Sequence, residues 1–131
     1  LAVTVGRSGL SFKRPINVAL DRQSLTMVSV AAEKLWEDGS ESPTGRSCAT
    51  CHSTDALYND SFVKDYPHTV ARVADNSGDG LVDVDEMVNF CREFSMGAPT
   101  LKWNSNELLG LSALVLKKQE EYRMSLESMK N

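Results

Sequence analysis

Two stretches of the chain carry apolar residues at the three- and four-residue spacing of an amphipathic helix. The first lies between Asp21, which can cap a helix start, and Gly39, which can end a helix. Its apolar positions are Leu25, Val28, Ala32, Leu35 and Trp36. This pattern predicts a helix between residues 21 and 39.

The second stretch begins at NSNELL, near the C-terminus. Asn104, followed by Glu107 three positions later, is similar to a capping box with Asn in place of Ser or Thr. Behind this pair, one helical face is lined by Leu108, Leu111 and Val115. The pattern predicts a long helix that continues to Met129.

Two shorter helices are predicted between these stretches. One is PHTVARVA, starting at Pro67, and the other is DEMVNFCREF, which Gly97 and Pro99 end. Because no convincing strand follows residue 20, the predicted fold class is all-α. Residues 1–20 are locally basic and interrupted by glycine and proline, so they are expected to form an extended N-terminal arm. Residues 21–131 are then a single domain with one modest core.

Composition excludes several classes of function. The net charge is −4 and there is no basic stripe, so nucleic acid is not expected as a partner. No apolar run approaches the roughly 18 to 20 residues that span a bilayer, so no transmembrane segment is expected. A secretory signal is also missing, which predicts a chain that is cytosolic or already processed. The three cysteines are an odd number, so a pure disulfide framework would leave one over.

The motif CATCH is typical of covalent haem attachment. Thioether formation needs two thiols spaced to meet the two vinyl groups of the porphyrin, with a histidine beside the second thiol to reach the iron. Cys48, Cys51 and His52 meet these requirements. We therefore expect one covalently bound haem c, wrapped by cytochrome c-like helices.

Two other chemistries use closely spaced cysteines. Zinc could take a Cys₃His set composed of Cys48, Cys51, Cys91 and His68. That set lacks a second close pair of ligands, and the adjacent His52 would be a coincidence. A thioredoxin-like dithiol needs a βαβ setting, whereas this sequence predicts helices. Haem attachment is therefore the favoured interpretation.

A low-spin electron carrier needs a second axial ligand, and two sulfur residues compete for that position. Met96 lies before a glycine and near a proline, well downstream of the motif, where a methionine ligand is usual. Cys91 is the competitor, and its thiolate would neutralise charge on ferric iron and lower the reduction potential. Either side chain could instead be an apolar core residue.

The segments YPHTV and GLVDVDEMVNFCREFSMGAPTLKWNSNELLGLSALVLKKQ resemble the haem domain of SoxA, from the thiosulfate-oxidising SoxAX cytochromes, and the related thiosulfate dehydrogenase TsdA. The resemblance covers about residues 28 to 119. It rests on Val84, the run Val88–Cys91 and the run Ser105–Leu108. In that family the cysteine is the distal haem ligand, which implies Cys91 rather than Met96 here.

Two features depart from that family. SoxA subunits are usually longer, with two such domains or one intact and one degenerate, whereas this chain has a single copy. The family also has an arginine four residues before the cysteine, where Met87 stands here. A positive group would hold an anionic sulfur substrate, and Arg92 points in a different direction on a helix. The resemblance therefore implies haem binding more directly than catalysis.

The segment DNSGDGLVDVDE fits a 12-residue calcium loop, with Gly80 at the sharp turn. Oxygen ligands would come from Asp75, Ser77, Asp79, the Leu81 carbonyl, Asp83 and Glu86. A bound calcium would fix the start of the helix that carries Cys91. The alternative is a solvated acidic turn in which Asp83 or Asp85 caps that helix.

These observations predict a periplasmic or otherwise extracytoplasmic monohaem c-type cytochrome, with calcium as a second expected ion. It would transfer electrons within or to an oxidoreductase complex, with a protein as its redox partner. One alternative is a SoxA/TsdA-like haem enzyme subunit that oxidises thiosulfate, with Cys91 as the catalytic ligand. Another is a structural haem subunit of a larger assembly.

Overall fold

The computed structural model describes residues 11–26, 29–52 and 60–130. In chain order, the elements are a 3-10 turn at Arg22–Thr26, helix α1 at Val30–Trp36, helix α2 at Cys48–His52, a 3-10 turn at Asp60–Val63, strand β1 at His68–Thr69, helix α3 at Ala71–Ser77, strand β2 at Leu81–Val82, helix α4 at Val84–Phe90, a π-helical turn at Cys91–Met96, and helix α5 at Asn106–Met129. This architecture is mainly helical, as the sequence predicts. None of the helices among the described residues is long and apolar enough to cross a membrane.

A two-stranded sheet departs from the all-α prediction. Strands β1 and β2 pair antiparallel, with His68 opposite Val82 and Thr69 opposite Leu81. The helix predicted from Pro67 therefore begins later, at the start of α3. Two-residue strands are too short to show the alternation of apolar and polar residues that reveals a strand in a sequence.

The first predicted helix is divided into two elements. Asp21 bonds to the 3-10 turn, where its carboxylate accepts a hydrogen bond from the Ser24 hydroxyl at 2.7 Å. Helix α1 has an N-cap of its own, Ser29, whose hydroxyl accepts from the Ala32 N–H at 3.0 Å. Helix α1 also passes close to α5. At Gly110 in α5, an added Cβ would lie only 3.0 Å from the Ala32 Cβ.

Helix α5 begins one residue later than predicted and ends at Met129, as predicted. Its N-cap is Ser105, whose hydroxyl accepts from the Leu108 N–H at 3.2 Å. Asn104 instead has a positive φ of 60° and bonds to the segment before the first turn. Its side-chain oxygen accepts from the Asp21 N–H at 2.9 Å, and its amide donates to the Ala19 carbonyl at 2.8 Å.

Helix α4 leads directly into the π turn. It starts with a capping box, in which Glu86 Oε1 accepts from the Asp83 N–H at 2.8 Å. At its other end, the Cys91 N–H is directed at the carbonyls of Met87 and Val88. The π turn ends at Gly97, which has a φ of 66° that glycine adopts without strain. The helix predicted across DEMVNFCREF therefore changes type at Cys91.

Three clusters of buried apolar residues fill the domain. The aromatic cluster comprises Phe12, Val70, Val73, Val82 and Phe90. The helix cluster comprises Trp36, Val88, Leu108, Leu111 and Leu114, and the third cluster comprises Leu20, Val84 and Leu109. Because α4 contributes one residue to each cluster, this short helix lies at the centre of the core.

The described part of the predicted arm packs into the domain. The Phe12 ring is fully buried, with its centroid 5.1 Å from Phe90 and 5.8 Å from Phe94. Two residues later, Arg14 Nη1 donates to Asp85 Oδ1 at 2.6 Å. Residues 1–10, the rest of the predicted arm, lie outside the described residues. The division at residue 20 stays a prediction, although residue 12 already belongs to the core.

We expect Phe12→Ala to lower the free energy of unfolding by about 3–5 kcal/mol, because it removes a fully buried ring and leaves a cavity. Ile16→Ala is the control, since this side chain is 94% exposed and its truncation should cost less than about 0.5 kcal/mol. Urea unfolding of the haem-loaded protein measures both. If both substitutions lowered the free energy of unfolding equally, the packing of Phe12 would contribute nothing to the stability of the core.

Candidate haem site

Helix α2 holds the attachment motif and is capped by a reciprocal pair. The Ser47 hydroxyl accepts from the Thr50 N–H at 3.3 Å, while the Thr50 hydroxyl accepts from the Ser47 N–H at 2.8 Å. The helix spans Cys48–His52 and so contains the whole motif. Cys48 packs against the helix cluster. The side chains of Cys51 and His52 lie outside the described part of the structure.

The two candidate distal ligands lie at opposite ends of the π turn. Cys91 starts the turn and packs, half-buried, against the aromatic cluster. Met96 ends the turn and is buried. A π turn closes hydrogen bonds between residues five apart and is often found at functional sites. Both sulfur residues thus belong to one compact element.

The loop before the CATCH motif binds this π turn. The Ser42 hydroxyl donates a hydrogen bond to the Met96 carbonyl. Arg46 Nη1 donates to the Ser95 carbonyl at 3.3 Å. Helix α2 itself also contacts the turn. The structure therefore brings the haem-attachment helix next to the element that carries Cys91, two features that lie far apart in the sequence.

His68 entered the sequence analysis only as a zinc ligand, and the structure gives it an unusual setting. Its Nδ1 lies 3.2 Å from the Asp65 carbonyl oxygen, which can only accept, so Nδ1 carries the proton. Its Nε2 is buried and has no hydrogen-bond partner among the described residues. Burial lowers the pKa of His68, which favours the neutral ring with a lone pair on Nε2. The only sequence signal for this site is that the chain has just two histidines.

The zinc alternative receives no support. Within residues 11–26, 29–52 and 60–130, no group of three or more His, Cys, Asp or Glu side chains is placed to hold a metal ion.

Basic side chains near the start of the chain, two from the arm and one from the first 3-10 turn, lie against the second half of the predicted calcium loop. The ion pairs join Arg14 to Asp83 and Asp85, Arg22 to Asp83, and Lys13 to Glu86. The Arg14 N–H also donates to Glu86 Oε2 at 2.8 Å. These carboxylates are therefore neutralised by residues of the protein itself.

The first half of the loop does not adopt the calcium-binding shape. Asp75 and Ser77 lie in helix α3, where residues two apart point to different sides. Gly78 ends this helix with a φ of 84°, and Asp79 accepts from the Leu81 N–H at 3.0 Å. A calcium loop instead wraps its ligands around one point. The calcium prediction thus receives no support from the structure.

Burial and charge act in opposite directions on the pair formed by Arg14 and Asp85, and burial prevails only for Asp85. It raises the pKa of Asp85, although the hydrogen bond and charge of Arg14 act in the opposite direction. For Arg14, burial lowers the pKa, but the bond to Asp85 and the three nearby carboxylates raise it overall. A carboxyl whose folded pKa is raised stabilises the protein below its unfolded pKa and loses that contribution as pH rises through the folded value. Asp85 therefore does not drive acid unfolding.

Comparison with known proteins identifies the family. The model for the SoxA/TsdA cytochrome c domain matches residues 31–124. The chain belongs to this family. The L-cysteine S-thiosulfotransferase subunit SoxA of Rhodovulum sulfidophilum is 31% identical over 114 residues, which cover 83% of this chain and 37% of that relative. The chain thus matches little more than a third of the length of the curated relative. No solved structure gave a significant match.

Membership of a cytochrome c domain family implies covalently bound haem c. Two observations fit this group. Cys48 adjoins a buried apolar cluster that can cover a porphyrin face, and α2 contacts the turn that carries two sulfur residues. The haem prediction from CATCH therefore agrees with both the family and the structure.

We expect Glu86→Gln to lower the free energy of unfolding by about 1 kcal/mol, because it weakens the capping box and the contacts with the arm. The decrease should be the same in chelator and in millimolar calcium, since Lys13 and the Arg14 N–H bind this carboxylate. Thermal unfolding in both solutions is the measurement, with the exposed Asp75→Asn as the control. A calcium-dependent rise in Tm that Glu86→Gln abolishes would re-establish the calcium site.

Proposed function

We propose that this chain is an extracytoplasmic, periplasmic haem domain that transfers electrons to or within a protein complex of sulfur oxidation. The observation that carries this proposal is the packing of one CATCH helix against the π turn that starts at Cys91. A protein partner is supported by the relative, which is a subunit by name. Neither nucleic acid nor a membrane span is part of the proposal.

Each site residue has a distinct task in this function. Bound haem c supplies a one-electron redox centre. Cys48 and Cys51 would hold it through thioether bonds, and His52 would bind the iron. The helix cluster beside Cys48 and the aromatic cluster beside Cys91 would keep water away, which limits the reorganisation that accompanies a change of charge.

The distal ligand in this proposal is Cys91 rather than Met96. The backbone of Cys91 is fixed, because its N–H is directed at two carbonyls of α4. The residue is half-buried, so it is neither fully enclosed by the core nor fully exposed to solvent. The family resemblance favours the cysteine as well. A thiolate ligand stabilises ferric iron, which gives the carrier a low reduction potential.

An enzymatic role is the second candidate, because the curated relative is named as a subunit of an S-thiosulfotransferase. An anionic sulfur substrate near Cys91 would need a cation. Met87 stands where the family has an arginine, and Met87 packs against the aromatic cluster. The Arg92 guanidinium is buried and bonded elsewhere, to Glu41 and the Pro99 carbonyl. These observations favour the carrier over the enzyme.

The ligand assignment predicts opposite outcomes for two substitutions. Cys91→Met should raise the reduction potential by on the order of 100 mV, a fraction of the ~0.8 V that axial ligands span, because the anionic ligand is removed. Met96→Leu should leave the ferric spectrum and the potential nearly unchanged. Redox titration with optical detection measures both. High-spin haem in Met96→Leu, with no effect of Cys91→Ser, would instead identify Met96 as the ligand.

The carrier proposal predicts that the haem stays covalently attached and that the protein converts little thiosulfate. The haem should survive acid–organic extraction, and the mass should exceed that of the polypeptide by one haem. The protein should be reduced and reoxidised by one electron, yet convert thiosulfate only slowly, because Met87 stands where the family has an arginine and the Arg92 guanidinium is bonded to Glu41 and Pro99. Robust thiosulfate turnover, lost in Cys91→Ser and retained in Met96→Leu, would place the enzyme ahead of the carrier.

A further inference from the structure

The residue after Cys91 holds the π turn together. The Arg92 carbonyl accepts hydrogen bonds from the N–H groups of Gly97 and Ala98, the second at 2.8 Å. Its side chain turns back toward the following segment, where Nε donates to the Pro99 carbonyl at 2.8 Å. Backbone and side chain of one residue thus set both the length of the turn and the path of the chain that leaves it.

The Arg92 guanidinium is 1% exposed, which is unusual for a charged side chain. Its carboxylate partner is Glu41, with Nη2 2.5 Å from Glu41 Oε1. Glu41 is half-exposed, so the negative charge approaches from the surface while the positive charge stays inside. A buried charge needs a partner, and removing that partner destabilises the structure around the charge.

Glu41 belongs to the loop that leads into the haem-attachment helix. The same loop carries Ser42 and Arg46, which bond to the carbonyls of Met96 and Ser95 at the far end of the turn. The bond between Glu41 and Arg92 therefore attaches the loop to the beginning of the turn, directly beside Cys91. Because the haem is covalently fixed just after this loop, the ion pair also sets where Cys91 lies relative to the haem.

We propose that Arg92 and Glu41 are positioning residues that hold the Cys91 sulfur at the haem iron. This inference rests on the proposed function, in which Cys91 is the distal ligand. Arg92 acts through the backbone of the turn, and its guanidinium is directed to Glu41 and Pro99. The ion pair thus fixes the distance between the loop before the CATCH motif and the π turn that carries Cys91.

The test is the alkylation rate of Cys91 in the haem-loaded ferric protein. Cys91 is the only cysteine outside the attachment motif, so iodoacetamide modification read by mass spectrometry reports on this thiol alone. Coordination protects the sulfur, and alkylation follows the fraction of time it is released. We expect Glu41→Gln to accelerate alkylation at least about fivefold, because weakening the pair by a small free energy shifts the population of the released state. The ferric spectrum should change in parallel.

Two further variants separate positioning from stability. Arg92→Lys keeps the charge but lacks the planar fork, so it should also release Cys91. Ser105→Ala removes the N-cap of α5, away from the turn, and should lower Tm while the alkylation rate stays at the wild-type value. If Arg92→Lys fails to load haem, the alkylation rate of Cys91 in Glu41→Gln decides whether the pair positions this thiol, because Glu41 lies at the surface.

The outcomes distinguish this inference from the proposed function. Rapid alkylation of the wild-type protein, with a spectrum that lacks thiolate ligation, would contradict the ligand assignment and the inference with it. A protected wild-type Cys91 that remains equally protected in Glu41→Gln would contradict only the positioning role. An acceleration in Ser105→Ala as large as in Glu41→Gln would also overturn it, since release would then follow general stability.

Discussion

The placement of Cys91 depends on a helix of seven residues that cannot be stable alone. Helices this short are unfavourable in water, because the first turn fixes several residues for a single hydrogen bond. Helix α4 is held at its start by its capping box and by Arg14, which bonds to the buried Asp85. At its end, the turn that follows is held by Arg92. Charged contacts before α4 and after it, together with apolar contacts along the helix, fix the position of Cys91.

Local patterns in the sequence predicted the parts of the structure that local forces decide. The CATCH motif and the apolar face of α5 at Leu108, Leu111 and Val115 are both recognisable in the sequence. The start of α5 was wrong by one residue, because Asn104 bonds to a segment from the beginning of the chain. The calcium prediction for the acidic loop receives no support for the same reason. The loop's neutralising partners, such as Arg14, lie about 70 positions away, as the separation of 71 from Asp85 shows.

The candidate site shows the same division between local and distant information. Spacing alone predicts Cys48, Cys51 and His52 as the attachment residues, since thioether attachment is a property of one short segment. The partner of Arg92 could not be read from its neighbours in the sequence, because Glu41 lies 51 positions earlier. His68 likewise becomes noticeable only when its buried, unpartnered Nε2 is seen in three dimensions. Sequence patterns therefore name the cofactor, while tertiary contacts determine how it is held.

The burial of Phe12 beside Phe90 also bears on the order of events as the protein matures. Contacts between residues far apart in sequence form slowly, because closing a long loop costs entropy before any contact compensates for it. Ser11 and Glu93, which bond next to this cluster, are 82 positions apart. We therefore expect the aromatic cluster to close late, after contacts between residues that are near in sequence. Before it closes, we expect the thiols of the attachment motif to be accessible, so that haem can be joined to the chain before this part of the core forms.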